Sequence, residues 1–205
     1  MSLVNHSTKE ITCKVVYYGP GRSGKTTNLQ YVHASVPDAR KGQMISLATE
    51  TDRTLFFDFL PLDLGSISGF RTRIQLYTVP GQVYYNATRK LVLRGADGVV
   101  FVADSQREQF DENIESLRNL QENLLDQGMD IRDLPLVMQY NKRDLPGAVP
   151  IEDLEDALNF RGLPSVSAAA VSGEGVLATL RAISEGVLRS LSQKYRQPLV
   201  PGGNG

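Results

Sequence analysis

The chain has 205 residues, with 22 Lys and Arg against 23 Asp and Glu, a formal net charge of -1, and 41% hydrophobic residues. That length suits one domain with one sizeable core, and the balanced charge excludes a global field aimed at nucleic acid or an anionic membrane. The single cysteine, Cys13, excludes an internal disulfide, which fits a reducing cytoplasm.

In chain order, residues 11–18 alternate as a strand that carries Cys13 in its apolar set, so this thiol reads as buried and structural. A Gly-rich loop follows over 19–26, and residues 25–34 read as a helix. Residues 37–52 form the longest irregular stretch, where a first switch segment belongs. Two strand-like runs, 55–60 and 71–78, flank the turn-rich Gly65-Ser66-Ile67-Ser68-Gly69 and predict an antiparallel hairpin. Residues 98–103 and 136–140 are short apolar strands of the kind buried on both faces. Between them, residues 108–127 carry Ile114, Leu117, Leu120, Leu124 and Leu125 at helical spacing, all expected to face the core. Further helices are expected from Ile151 and over 174–191. No apolar run reaches the length of a membrane span, and no signal peptide or lipidation box is read at the ends. The expectation is an α/β fold: a mostly parallel six-stranded sheet with helices on both faces and an antiparallel second strand. Residues 1–195 are expected to form one domain, followed by a disordered tail over 196–205.

Gly19-Pro20-Gly21-Arg22-Ser23-Gly24-Lys25-Thr26 is a complete G-x-x-x-x-G-K-(S/T) phosphate-binding loop in the strand–loop–helix setting its chemistry requires. Backbone N–H groups and the helix N-terminus converge there on a polyphosphate. The glycines allow close main-chain approach, Lys25 reaches the β- and γ-phosphates, and the Thr26 hydroxyl holds Mg²⁺; Thr27 is expected among the nucleotide-binding residues. Asn141-Lys142-Arg143-Asp144 follows the strand ending at Tyr140, at the carboxyl edge where ligands bind in such sheets. N-K-x-D recognises guanine. Asp144 accepts from the ring N–H and the exocyclic amine, Asn141 braces the loop and contacts the purine, and the Lys142 stem lies across the base. Thr78-Val79-Pro80-Gly81-Gln82 stands where GTPases carry D-x-x-G. Gly81 and Gln82 are kept, Gln82 in the slot that orients the attacking water, but Thr78 replaces the aspartate beside Mg²⁺. Asp52 and Asp58 are both near in sequence, with no basis for choosing between them. Thr54 is placed as the switch threonine over Mg²⁺ and the γ-phosphate.

These residues resemble the MglA family, the bacterial Ras-like GTPases of cell polarity and gliding motility. The carriers are Y-Y-G-P-G-R-S-G-K-T-T-N-L, S-L-A-T-E-T-D-R-T-L-F-F-D-F-L-P-L, L-Y-T-V-P-G-Q-V-Y-Y-N-A, V-F-V-A-D-S and N-K-R-D-L-P, spanning about residues 3–193. The resemblance implies a Ras-like P-loop fold that converts GTP and water to GDP and phosphate. Arg53 then acts as an arginine finger supplied in cis, beside Gln82. It further implies stimulation by a Roadblock-fold partner of the MglB kind, acting as a dimer, and GTP-dependent recruitment of polarity and pilus effectors at a cell pole.

Two positions depart from the pattern. Arg22 stands where many relatives carry an apolar residue; it adds a cation near the β/γ-phosphates or to an effector surface. The guanine loop is ambiguous. Anchoring on Gly175-Val176 makes Ala169 and Ala170 the S-A equivalents, with the Ala170 N–H on the guanine carbonyl, whereas the letters alone select Ser167-Ala168. The alternative to a hydrolysing switch is a nucleotide-binding scaffold with negligible turnover, which Thr78 motivates. His6 and His33 show no metal-site pattern. Arg71 and Arg73, and Arg89, Lys90 and Arg94 after the second switch, read as solvated charges, the latter group adjoining where partners would dock; Tyr84 and Tyr85 read as effector surface or core.

Overall fold

The period-2 alternation of the central strands determines the architecture, because each strand feeds two separate apolar layers. The computed structural model describes residues 3–5, 7–48, 55–67 and 69–196. His6, Asp52, Arg53, Thr54 and the C-terminal residues from 197 onward lie outside them. The strands are β1 (Leu3–Asn5), β2 (Glu10–Tyr18), β3 (Ile45–Ala48), β4 (Leu55–Ile67), β5 (Phe70–Thr78), β6 (Gly98–Asp104), β7 (Leu136–Asn141) and β8 (Ser165–Ser167). The helices are α1 (Lys25–Ser35), α2 (Asn86–Leu93), α3 (Phe110–Leu125), α4 (Ile151–Leu158) and α5 (Val176–Arg196).

The sheet runs β3-β4-β5-β2-β6-β7-β8, and β1 pairs antiparallel with the start of β2. β5, β2, β6, β7 and β8 are parallel, while β4 is antiparallel to both β3 and β5. The expected mostly parallel sheet with its antiparallel second strand is present, extended by the short β1 and β3. β3 lies inside the stretch read as irregular. It forms because Ile45–Ala48 can add a second antiparallel partner to the free side of β4.

On one face, Val16, Tyr18, Val99, Phe101, Ala103 and Met138 pack beneath α2, α3 and α4. On the other, Val15, Tyr17, Val100, Val102 and Val137 meet α1 and α5 through Leu29, Val32, Ile183 and Val187. Each such side chain contributes about 1.5–3 kcal/mol on full burial, so the layers together fix the sheet. In α3, Leu117, Leu120 and Leu124 are buried as expected, but Leu125 is 64% exposed, one residue past the core-facing stripe. No helix among the described residues is long and apolar enough to cross a membrane. The parallel strands end at Tyr18, Thr78, Asp104, Asn141 and Ser167, so their following loops gather at one rim.

Candidate functional site

The phosphate loop leaves β2 at Tyr18 and enters α1 at Lys25. Gly24 is left-handed at φ 101°, and a Cβ there would lie 2.1 Å from the Asn141 amide nitrogen, so only glycine brings the two loops together. Arg22 is also left-handed, at φ 60°, a conformation that costs a side chain roughly 1–2 kcal/mol. Ser23 and Lys25 are buried. The Lys25 ammonium donates to Gly19 O at 3.0 Å and Pro20 O at 2.5 Å. Burial, and then the Arg89 charge, push its pKa down to about 7, against a smaller opposing pull from Asp58.

Asn141 joins this loop to the base-recognition loops. Its Nδ2 donates to Ser23 O at 2.8 Å, and its Oδ1 accepts from Ala170 N–H at 2.9 Å. A cavity of about 250 Å³ opens beside that bridge, lined by Arg22, Gly24, Thr27, Asn141, Lys142, Asp144, Leu145, Ala170 and Val171. Asp144 lines it and is exposed. Lys142 Nζ is tied to Asp104 at 2.5 Å and to Gln106 at 3.0 Å, which lays its stem along the loop. Arg22 therefore stands with the base-recognition residues. Of the two readings of the last loop, Ala170 is the residue on this cavity. Ala169 is buried just behind it, and Ser167 and Ala168 are absent from the lining.

A buried carboxylate from another strand meets Thr78, the residue standing where D-x-x-G has its aspartate. Asp58 of β4 is fully buried and lies across from Ser46 of β3. Its carboxylate accepts from Thr26 Oγ1 at 2.6 Å, Ser46 Oγ at 2.7 Å and Thr78 Oγ1 at 2.8 Å. Its own N–H donates to Thr78 Oγ1 at 2.8 Å. Thr78 thus acts as a relay that holds Asp58 beside Thr26. Of the two aspartates left open by the sequence, the structure brings Asp58 to the site; Asp52 and the switch pair Arg53 and Thr54 lie outside the described residues. The cluster offers only hard oxygen donors with one buried carboxylate, a set that fits Mg²⁺ completing its shell with waters and substrate phosphates. Thr26 and Asp58 could hold such an ion. Among the described residues, no group of three or more His, Cys, Asp or Glu gathers as a metal site.

Past β5, Gly81 presses on the phosphate loop: a Cβ on it would come within 2.3 Å of Gly21 Cα. Gln82 next to it is exposed, as is Tyr84, while Tyr85 is half-buried. Arg89 corrects the sequence reading. It is fully buried rather than solvated, because the loop carbonyls around it supply acceptors that a composition-based reading cannot foresee.

A protein of Myxococcus xanthus (strain DK1622), "Mutual gliding-motility protein MglA", is 59% identical over 193 residues, 94% of this chain and 99% of that protein. The chain belongs to the MglA family. The family model of the ADP-ribosylation factor family also matches, over residues 1–187. ADP-ribosylation factor-like protein 6 of Caenorhabditis briggsae is 25% identical over 189 residues, 88% of this chain and 89% of that protein. Its namesake in Caenorhabditis elegans is 25% identical over 209 residues, 94% and 95% of the two chains. This MglA-family member is therefore a small GTPase of Ras/Arf type, and its phosphate loop and N-K-R-D loop meet through Asn141 as that chemistry demands.

Proposed function

We propose that this protein is a GTP/GDP-operated switch of cell polarity and motility, hydrolysing GTP slowly alone and faster with a Roadblock-fold, MglB-like partner acting as a dimer. The observation that supports this best is the Asn141 bridge, which places Asp144 and the phosphate loop on one cavity. In this reading the main chain of 19–27 and Lys25 bind the phosphates. Asn141, Lys142, Asp144 and the Ala169–Ala170 turn hold guanine. Thr26, Thr54 and Asp58 hold Mg²⁺, which when bound offsets charge on the β- and γ-phosphates.

Thr54 and Gly81 contact the γ-phosphate and order both switch segments, and hydrolysis releases them. Gln82 orients the attacking water. Arg53 stabilises charge on the transferring phosphoryl group, an effect of about 10³–10⁵ in rate when such a finger is in place. Asp58 weakens the competing scaffold reading, since the carboxylate that Thr78 lacks is supplied across the hairpin. The 59% identical relative, named for gliding motility, supports a motility role for a cytoplasmic protein recruited to a pole in its GTP form, with polarity and pilus effectors as partners.

The experiment is nucleotide selectivity. Asp144→Asn exchanges an acceptor for a donor, so GTP affinity should fall and XTP affinity should rise; unchanged GTP affinity refutes the base assignment. Arg53→Ala and Gln82→Leu should keep nucleotide binding and abolish multi-turnover phosphate release.

A further inference from the structure

Arg89 on α2 is a fully buried guanidinium, and among the described residues it forms no ion pair with a carboxylate. Five donor contacts satisfy it instead. Nε donates to Pro80 O at 2.9 Å and Nη1 to Asn119 Oδ1 at 2.6 Å. Nη2 donates to Gly81 O at 2.9 Å, and to Gly19 O and Ser116 Oγ at 3.2 Å each. The guanidinium also lies over the Tyr18 ring, 4.8 Å from its centroid. An apolar residue at such a position is commonly no less stabilising than a buried charge, so stability alone does not account for an arginine here.

The acceptors supply the account. Three of them are carbonyls of peptide units that bracket the phosphate site: Gly19–Pro20 in the phosphate loop, and Pro80–Gly81 and Gly81–Gln82 in the second switch. In a trans peptide the C=O and N–H point in opposite directions. With the Pro80 and Gly81 carbonyls both turned onto Arg89, the N–H groups of Gly81 and Gln82 are directed away from it. The phosphate loop lies against Gly81: a Cβ built there would come within 2.3 Å of Gly21 Cα and 2.7 Å of Pro20 O. One planar, forked cation is suited to this task, because its donors are fixed relative to one another.

We infer that Arg89 is a positioning residue of the second switch, holding the two peptide units around Gly81 so that their N–H groups face the γ-phosphate position. The inference rests on the GTP-switch reading and deepens it: Arg89 makes the site discriminate a triphosphate from a diphosphate, without touching either. Asn119 anchors the opposite end of the guanidinium and ties the clamp to α3, where it also accepts from the Tyr18 hydroxyl at 2.7 Å.

The test is the ratio of affinities for a non-hydrolysable GTP analogue and GDP, measured by displacement of fluorescent GDP in the presence of Mg²⁺. Arg89→Lys keeps the charge but cannot span Pro80, Gly81 and Asn119 together. It should weaken the analogue about tenfold while GDP stays within about twofold, the loss of one hydrogen bond to a charged phosphate. Phosphate release at saturating GTP should fall by a similar factor. Asn119→Ala, which frees one end of the clamp, should shift the ratio in the same direction by less, and it decides the matter if Arg89→Lys does not fold. Equal weakening of both nucleotides, or an unchanged ratio in whichever variant folds, overturns the inference and leaves Arg89 a structural staple. If instead the parent protein shows no preference for guanine over adenine nucleotides, the underlying switch reading fails and not this one.

Discussion

Replacing Asn141 by alanine severs the only side-chain bridge described between the phosphate loop and the base loops, and its cost can be worked from the two bonds it makes. Ser23 is fully buried and Ala170 is 3% exposed, so Ser23 O and Ala170 N–H both lose their partner where water enters poorly. Each orphaned group costs about 1–3 kcal/mol, which gives a total of about 2–6 kcal/mol for Asn141→Ala. Asn141→Asp sharpens the test. It keeps an acceptor for Ala170 N–H but turns a carboxylate oxygen onto Ser23 O, so repulsion replaces a bond. Burial raises the pKa of that new carboxyl in the folded state. Its destabilisation is therefore fullest above the folded pKa and is relieved as the pH falls through it, when the protonated oxygen donates to Ser23 O. Urea unfolding of the parent and both variants between pH 5 and pH 8 measures this, alongside release of fluorescent GDP. Release should quicken at least about tenfold in Asn141→Ala. Parental unfolding midpoints and release rates in both variants would refute the bridge as an organising contact, and a pH-independent deficit in Asn141→Asp would refute its assigned geometry.

Gly81→Ala places a Cβ 2.3 Å from Gly21 Cα and 2.5 Å from Gly21 N, both main-chain atoms that cannot rotate aside. The second switch must retreat from the phosphate loop, so a GTP analogue should lose about tenfold more affinity than GDP; equal losses would contradict this. Asp58→Asn leaves three hydroxyls sharing one acceptor oxygen. It should cost about 1–3 kcal/mol of stability and abolish the slowing of GDP release by Mg²⁺; persistence of that slowing would remove Asp58 from the metal site. Lys25, held at about 7 by burial against an ordinary 10.5, regains its charge opposite a polyphosphate. Binding should therefore take up about 0.9 proton at pH 8 and about 0.1 at pH 6, read from calorimetry in buffers of different ionisation enthalpy. A proton count that does not vary with pH would refute it. For the protein without nucleotide the sign is the same. Between pH 7 and 10.5 the unfolded chain holds the proton that the folded chain has lost, so stability rises across that window.

Motifs whose parts are contiguous were legible in the sequence. Residues 19–26 and 141–144 carry their geometry in their own spacing, and the strand runs that position them are apolar enough to read as doubly buried. The meeting of Asp58 with Thr78 was not legible, since their link is a cross-strand contact whose register depends on the whole hairpin. Arg89 was misread for the same reason. Its acceptors come from residues 8, 9, 27, 30 and 70 positions away in sequence, and no local pattern announces a buried cation with neutral partners. β3 escaped because four residues of ordinary strand propensity become a strand only when an edge is offered to them.

Cys13 is 2% exposed, and burial followed by the Asp97 charge raises its thiol to about 12, so the native sulfur is chemically silent while the fold holds. The chain therefore needs no prior removal of cysteine before an engineered one is introduced. Val171→Cys, at a rim position 76% exposed, would accept a maleimide dye at a single address beside the cavity lined by Asn141 and Asp144. Such a conjugate would turn guanine arrival and departure into an optical signal from the otherwise unaltered polypeptide.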